Sequence, residues 1–127
     1  MSGWLVFDAG ALIAAQRRST RLQALVQRAR DRGVSIVVPT VVVGQVVRGG
    51  GRQAGLRRFL GDSVVRFDAL DYASALEVGV LLGRTGTSDV VDAAVVVCAR
   101  ARGRCPMVTS DPDDMAALDP AVPLIAL

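Results

Sequence analysis

Lysine and histidine are both absent from the 127 residues: all 15 basic side chains are arginine, and Glu77 is the only glutamate among the 12 acids. Without histidine there is no imidazole base and no imidazole metal ligand. Without lysine there is neither a Schiff-base amine nor the lysine of a phosphate-binding P-loop. Acid–base or metal chemistry must therefore come mainly from aspartate. Cysteine is scarce as well. Cys98 and Cys105 stand across a helix end and the "RGR" turn, where they read as reduced core thiols, and two are too few for a Cys-type zinc site. Aromatics are limited to Trp4, Phe7, Phe59, Phe67 and Tyr72, mostly expected in the core, which leaves little for stacking on bases.

Long apolar runs are also missing. Pro39 and Gln45 interrupt the longest candidate, "VSIVVPTVVVGQVV", short of the ~20 residues of a membrane span. The opening "MSGWLVFDAG" lacks the basic segment of a signal peptide. A cytoplasmic protein without membrane association is the expectation. A net charge of +3 and a pI near 9.6 permit a polyanionic partner, although a bias for arginine over lysine also follows from genome composition.

What is present is a chain long enough for one domain with its own core, and 51% of it is hydrophobic. Apolar segments at Trp4–Phe7, "VSIVV", "SVVRFDA", "PMVTS" and "VPLIAL" read as five strands. Between them, helices are expected over "AGALIAAQ", over "STRLQALVQRARDRG" with Ser19 or Thr20 as cap and Gly33 as stop, and from about Thr40 to near Gly49. Further helices are expected in "RQAGLRRFLGD", in "LDYASALEVGVLLGRTG" ending at Gly86, from Ser88 as N-cap up to Gly103, and as a turn capped by Asp111. Strands that alternate with helices and are apolar throughout imply an α/β fold with a mostly parallel sheet covered on both faces.

That architecture gives the aspartates their interest. In "TSDVVDAAVVVCAR", Asp89 and Asp92 fall about one turn apart at the start of a helix that is otherwise apolar all round, hence buried. Carboxylates suit a helix N-terminus without any chemistry, which accounts for Asp89. Asp92, at the edge of a buried helix, needs a partner or a metal, and the segment alone leaves cap and functional carboxylate both open. Ligands of open α/β sheets gather beyond the carboxyl ends of the strands, where Asp8 ends the first strand and Asp111 the fourth. A helix leading into a parallel strand begins at that same edge, so Asp92 joins them. Three unpaired carboxylates would repel one another, and an all-oxygen site suits Mg²⁺ or Mn²⁺.

The order of "FDAG", "VPTVVVGQVVRG", "SDVVDAAVVVCARARG" and "VTSDPDD", across nearly the whole chain, resembles the PIN-domain ribonucleases of the VapC toxin type. The resemblance implies a single PIN-like α/β/α sandwich over residues 1–127 with a five-stranded parallel sheet. It further implies an acidic cluster binding Mg²⁺ or Mn²⁺, hydrolysis of RNA, a cognate VapB-type antitoxin and a homodimer. By position it assigns Asp8, Asp92 and Asp111 as catalytic metal ligands, with Asp114, and less directly Asp113, as a following acid. Asp89 would ligate through water or cap its helix, the cap being the favoured reading. The departure is Gln45, where relatives commonly carry Glu. An amide oxygen can bind a hard cation but adds no charge, so metal is held less tightly.

Such an ion would orient and activate a water and polarise the scissile phosphate, with Asp92 or Asp111 accepting the proton. Thr109 or Ser110 would position a ligand or simply satisfy backbone groups. RNA contacts would fall to arginine: Arg21, Arg28 and Arg32 on one flank of the second helix, and Arg48 and Arg52 around a flexible glycine loop, although each alone is more commonly a solvated charge. A receiver domain would call for a late lysine, and a haloacid-dehalogenase-type phosphatase for Asp-x-Asp in place of Asp8-Ala9-Gly10. The surviving alternative is a PIN-like module that binds RNA or protein without cleavage.

Overall fold

The computed structural model describes residues 3–127. The chain alternates between strands β1 (Gly3–Phe7), β2 (Val34–Pro39), β3 (Val65–Asp68), β4 (Met107–Thr109) and β5 (Leu124–Ala126) and helices on the two faces of their sheet. The helices are α1 (Ala9–Gln16), α2 (Thr20–Asp31), α3 (Thr40–Val46), α4 (Ala54–Leu60), α5 (Tyr72–Thr85), α6 (Val90–Arg100) and α7 (Pro112–Leu118), with a short 3₁₀ turn at Gly51–Gln53 ahead of α4. All pairings are parallel, in the order β3-β2-β1-β4-β5. The expected five-stranded parallel α/β architecture is thus what the chain adopts. No helix among the described residues is long and apolar enough to cross a membrane.

The sheet is held by strands that are apolar on both faces. Val6, Phe7, Ile36, Val37, Val38, Met107 and Val108 are all buried, as a parallel sheet between helical layers requires. Helix α6 fills the centre of one layer. Every residue from Ala93 to Ala99 is buried, and each Val hidden there contributes roughly 1.5–3 kcal/mol relative to exposure. Because the chain moves outward from β1 to β2 and β3 and then returns to β4 and β5, the strand order reverses between β1 and β4. Phe7 pairs with Val108 there, leaving Asp8 and Thr109 side by side at the carboxyl edge.

Several local expectations are corrected. The N-cap of α6 is Asp89, not Ser88, because the Asp89 carboxylate accepts from the Asp92 amide at 2.9 Å, and a charged acceptor holds a helix-start N–H better than a hydroxyl. Helix α3 stops at Val46, short of Gly49, and α6 stops at Arg100, short of Gly103. Asp111 occupies the N-cap position of α7 but makes no side-chain cap, which leaves its carboxylate uncommitted. Phe67 and Tyr72 lie on the surface rather than in the core. Both cysteines are free and buried, and burial pushes the Cys98 thiol up to about 12, so neither is a poised nucleophile.

The far end of α6 is tied to the last loop by charge. Arg100 Nε donates to Asp119 Oδ2 at 2.7 Å, and Asp119 Oδ1 accepts from the Ala121 amide at 2.9 Å. Asp119 is buried while Arg100 keeps about a third of its side chain in solvent. Asp119→Ala is therefore expected to cost about 1–2 kcal/mol, read as a lower denaturant midpoint at unchanged slope. An unchanged midpoint would mean that this pair does not anchor the β5 edge.

Candidate functional site

Asp8 forms where β1 turns into α1. Its carboxylate caps α1 by accepting from the Ala11 amide at 2.9 Å, and the side chain is buried. Burial raises its pKa. The Thr109 hydroxyl and the Ala11 and Gly10 amides oppose that rise, and the Asp111 charge reinforces it. Thr109 is itself fully buried and accepts from the Asp111 amide at 2.9 Å, so one hydroxyl links the ends of β1 and β4.

The approach of these two strand ends depends on Gly10. A Cβ at that position would lie 1.9 Å from Ser110 Oγ, 2.8 Å from Ser110 Cβ and 3.2 Å from the Ser110 amide nitrogen. Only glycine lets the first turn of α1 nest against the loop that carries Asp111.

Asp92 enters from α6. Its carboxyl is pushed up to about 6, first by burial, then by the Asp89 charge and a hydrogen bond with Asp89, and then by the charges of Asp8 and Asp114. Asp89, Asp92 and Asp114 line one cleft of about 360 Å³ together with Thr87, Ser88 and Leu118. The carboxylates of three chain segments therefore share one electrostatic neighbourhood: Asp8, Asp89 with Asp92, and Asp111 with Asp114. Asp113 sits beside Asp114 in the first turn of α7. Among the described residues, no three acidic or cysteine side chains stand as a closed set of metal ligands. The donors that do converge are hard oxygens, the ligand chemistry of Mg²⁺ and Mn²⁺.

Gln45 is exposed and lies in a neighbouring cleft of about 380 Å³, with Ala9, Ile13, Gln16, Arg17 and Arg48. Ala9 adjoins Asp8, so this cleft borders the acidic edge. Arg48 lines it, and its guanidinium donates to the Gly44 and Val47 carbonyls at 3.0 and 2.9 Å, closing the end of α3. Arg52 is exposed on the 3₁₀ turn, and Arg21 on the first turn of α2. Arg28 and Arg32 border an apolar groove with Leu5, Leu25, Val34 and Ile125; Val34 opens β2, so these two lie toward the edge opposite the aspartates.

Two residues that shape the site escape a reading of the sequence. Gln53 is buried, and its Oε1 accepts from the Arg48 and Gly49 amides at 2.7 and 3.0 Å while Nε2 donates to Val46 O at 2.9 Å and Gln16 Oε1 at 3.1 Å. The glycine loop expected to be flexible is thus clamped, with Gly49 and Gly50 at φ +85° and +96°. Nothing in "RGGGRQ" distinguishes a buried amide from an exposed one. Arg17, which shares the Gln45 cleft, is the second, and no spacing rule selects it.

A doubly covered parallel sheet with carboxylates gathered at its switch point defines an α/β domain with an acidic edge site. Neither a protein-family model nor a curated protein matches the sequence. Solved structures do: a chain in the crystal structure of VapBC2 from Rickettsia felis, bound to a DNA fragment from their promoter, is similar with a TM-score of 0.76. That similarity covers 98% of both chains at 14% identity. The fold is PIN-like, as the sequence resemblance implies.

Proposed function

We propose that this chain is a VapC-type toxin, a Mg²⁺- or Mn²⁺-dependent ribonuclease restrained in the cytoplasm by a VapB-type antitoxin. The observation that carries the reading is the field that Asp92 experiences. A carboxyl held near 6 by burial and by Asp89, Asp8 and Asp114 is a group kept in place against its own stability, as catalytic groups are. The similarity to a chain of a VapBC structure supports a VapB-type partner.

Asp8, Asp92 and Asp111 would hold the ion, with Asp114 beside them and Asp89 acting on the site through the start of α6. A bound divalent cation supplies a nucleophilic water at neutral pH and charge stabilisation at the phosphate. The chain's own residues do the rest. Thr109 fixes Asp8 and the Asp111 backbone, and Asp92 or Asp111 would accept the proton of the attacking water. Arg48, with Arg17, lines the Gln45 cleft and offers a guanidinium to a phosphate backbone there. Arg52, Arg21 and Arg28 lie further along the surface, Arg28 toward the opposite edge.

Gln45 favours one second reading. Its neutral amide stands exposed in the neighbouring cleft, which suits a domain that binds RNA or protein without cutting. Incubating a mixed RNA pool with purified protein in Mg²⁺, in Mn²⁺ and in EDTA separates the two. Cleavage is expected only with metal, and Asp92→Asn is expected to lower it more than about 100-fold, since a metal-holding carboxylate supplies several kcal/mol. Intact RNA in all three conditions, from a folded protein, would leave the binding module.

A further inference from the structure

The cleft beside the acidic edge has its acceptors spent and its donors free. It is formed by α1, the last turn of α3 and the loop that follows α3; Arg17 and Arg48 line it as cations, and no acidic side chain does. The last carbonyls of a helix normally face outward without a partner. Here Arg48 Nη1 donates to the Gly44 and Val47 carbonyls at 3.0 and 2.9 Å, and Gln53 Nε2 donates to Val46 O at 2.9 Å. Gln45 adds a neutral amide and no charge. What remains for a ligand is N–H.

Buried Gln53 decides which end of the Gln16 amide is left over. Two backbone donors, the Arg48 and Gly49 amides, fix Gln53 Oε1, so Nε2 is the atom that meets Gln16, at 3.1 Å. A donor there requires an acceptor opposite, which makes the Gln16 atom in that contact Oε1 and leaves its Nε2 unused. Gln16 lines the cleft, so the spare N–H₂ belongs to the cleft's own wall. Among the described residues neither this nitrogen nor the Arg17 guanidinium has an acceptor, and Arg17 makes no ion pair. One clamp thus holds the Arg48 loop and sets the polarity of Gln16.

We infer that this cleft is a phosphate subsite, in which Arg17, Arg48 and Gln16 Nε2 hold the backbone phosphate neighbouring the one at the acidic edge, with Gln53 as their positioning residue. Phosphate oxygens only accept, which matches a wall that only donates. Ala9 lines the cleft and follows Asp8 directly, so the two sites adjoin and one strand can lie across both. A strand carries a phosphate at every nucleotide; seating one at the acidic edge brings the next to this wall, a regularity that an acidic protein segment lacks. The cleft, about 380 Å³, is within the size range of pockets that hold small ligands. The subsite rests on the proposed RNA substrate and not on its cleavage, since a binding module would use it equally.

Fluorescence anisotropy of a labelled, mixed-sequence single-stranded RNA, titrated in EDTA over a series of KCl concentrations, tests this. Arg17→Ala is expected to weaken binding about 5- to 10-fold and to lower the slope of log Kd against log salt by about 0.7, the share of one phosphate contact. Gln16→Glu keeps an oxygen for Gln53 Nε2 and so keeps the clamp, but turns the spare donor into a carboxylate; at least ~10-fold weaker binding is expected. Gln53→Met should lower the slope as Arg48→Ala does, and add little to it in the double variant, because Gln53 acts through that arginine. Arg104→Gly, on the exposed turn before β4 at φ +57°, is the control and should leave the slope unchanged. Arg17→Ala and Gln16→Glu with the affinity and slope of the control would overturn the subsite and leave the cleft to an acidic protein segment. So would a wild type that fails to bind the RNA at ~100 μM. Full additivity of Gln53→Met with Arg48→Ala would remove the positioning role of Gln53. Binding in EDTA is separate from cleavage in Mg²⁺: RNA cut with unaltered slopes rejects the subsite alone, and altered slopes without cutting reject the nuclease alone.

Discussion

Asp92→Asn is expected to make the metal-free protein more stable at pH 7.5, by about 1–3 kcal/mol, while abolishing cleavage. The direction follows from the carboxyl standing at about 6 in the fold against an ordinary value of 3.8, raised by burial first and then by Asp89, Asp8 and Asp114. Below about pH 4 the carboxyl is protonated in folded and unfolded chains alike, and it contributes nothing. Between about 4 and 6 the unfolded chain releases its proton first, so the folded state binds more protons and loses stability as pH rises. Above about 6 the whole penalty is in place. A neutral amide removes it. The lower end of the range reflects water reaching a side chain that is only partly buried.

Denaturant midpoints in EDTA at pH 7.5 and at pH 4 check this. The gain should be present at the first and nearly absent at the second. A carboxylate whose role is to cap or to pair would behave in the opposite way, its removal costing about 1 kcal/mol at neutral pH. Loss of stability in Asp92→Asn, or an equal gain at both pH values, would therefore refute the idea that Asp92 is held ionised against repulsion. Stability gained where activity is lost is the relation expected of a group kept for function.

The strands and helices were legible because each announces itself locally. Uniformly apolar runs read as doubly covered strands, α2 shows its stripe at helical spacing, and Gly86 ends α5 in the left-handed conformation that favours glycine. That Asp8 and Asp111 stand at one edge of the sheet was legible too, since they end the adjacent parallel strands β1 and β4. What stayed hidden depends on tertiary partners. Whether Ser88 or Asp89 caps α6 turns on one residue of register. Burial of Gln53 depends on Gln16, 37 positions away, and exposure of Phe67 and Tyr72 on β3 being an edge strand and on α5 having an open face. Composition favours placing aromatics inside, and only the layer arrangement says otherwise.

Gly10→Ala should lower both stability and activity, and Ser110→Gly should restore much of each. In "FDAG" the glycine sits in the first turn of α1, where alanine would be preferred by about 1 kcal/mol on helix propensity alone. The added methyl would meet Ser110 Oγ, Ser110 Cβ and the Ser110 amide at 1.9, 2.8 and 3.2 Å. Rotating the hydroxyl away relieves the first contact but not the other two, so α1 or the loop after β4 must shift. Overpacking of this kind costs typically 1–3 kcal/mol, which leaves a net loss of about 2 kcal/mol at the upper end after the helix gain. The displacement acts where Thr109 holds Asp8 and the Asp111 backbone. Cleavage should accordingly fall by about 10- to 100-fold, the scale set by misplacing reacting groups by an ångström. Removing the Ser110 side chain takes away the two closest contacts, so Gly10→Ala with Ser110→Gly should recover more than half of the lost stability, a coupling that a double-mutant cycle measures directly. Additive losses in that cycle would show that Gly10 serves the α1 turn itself and not the meeting of the two strand ends.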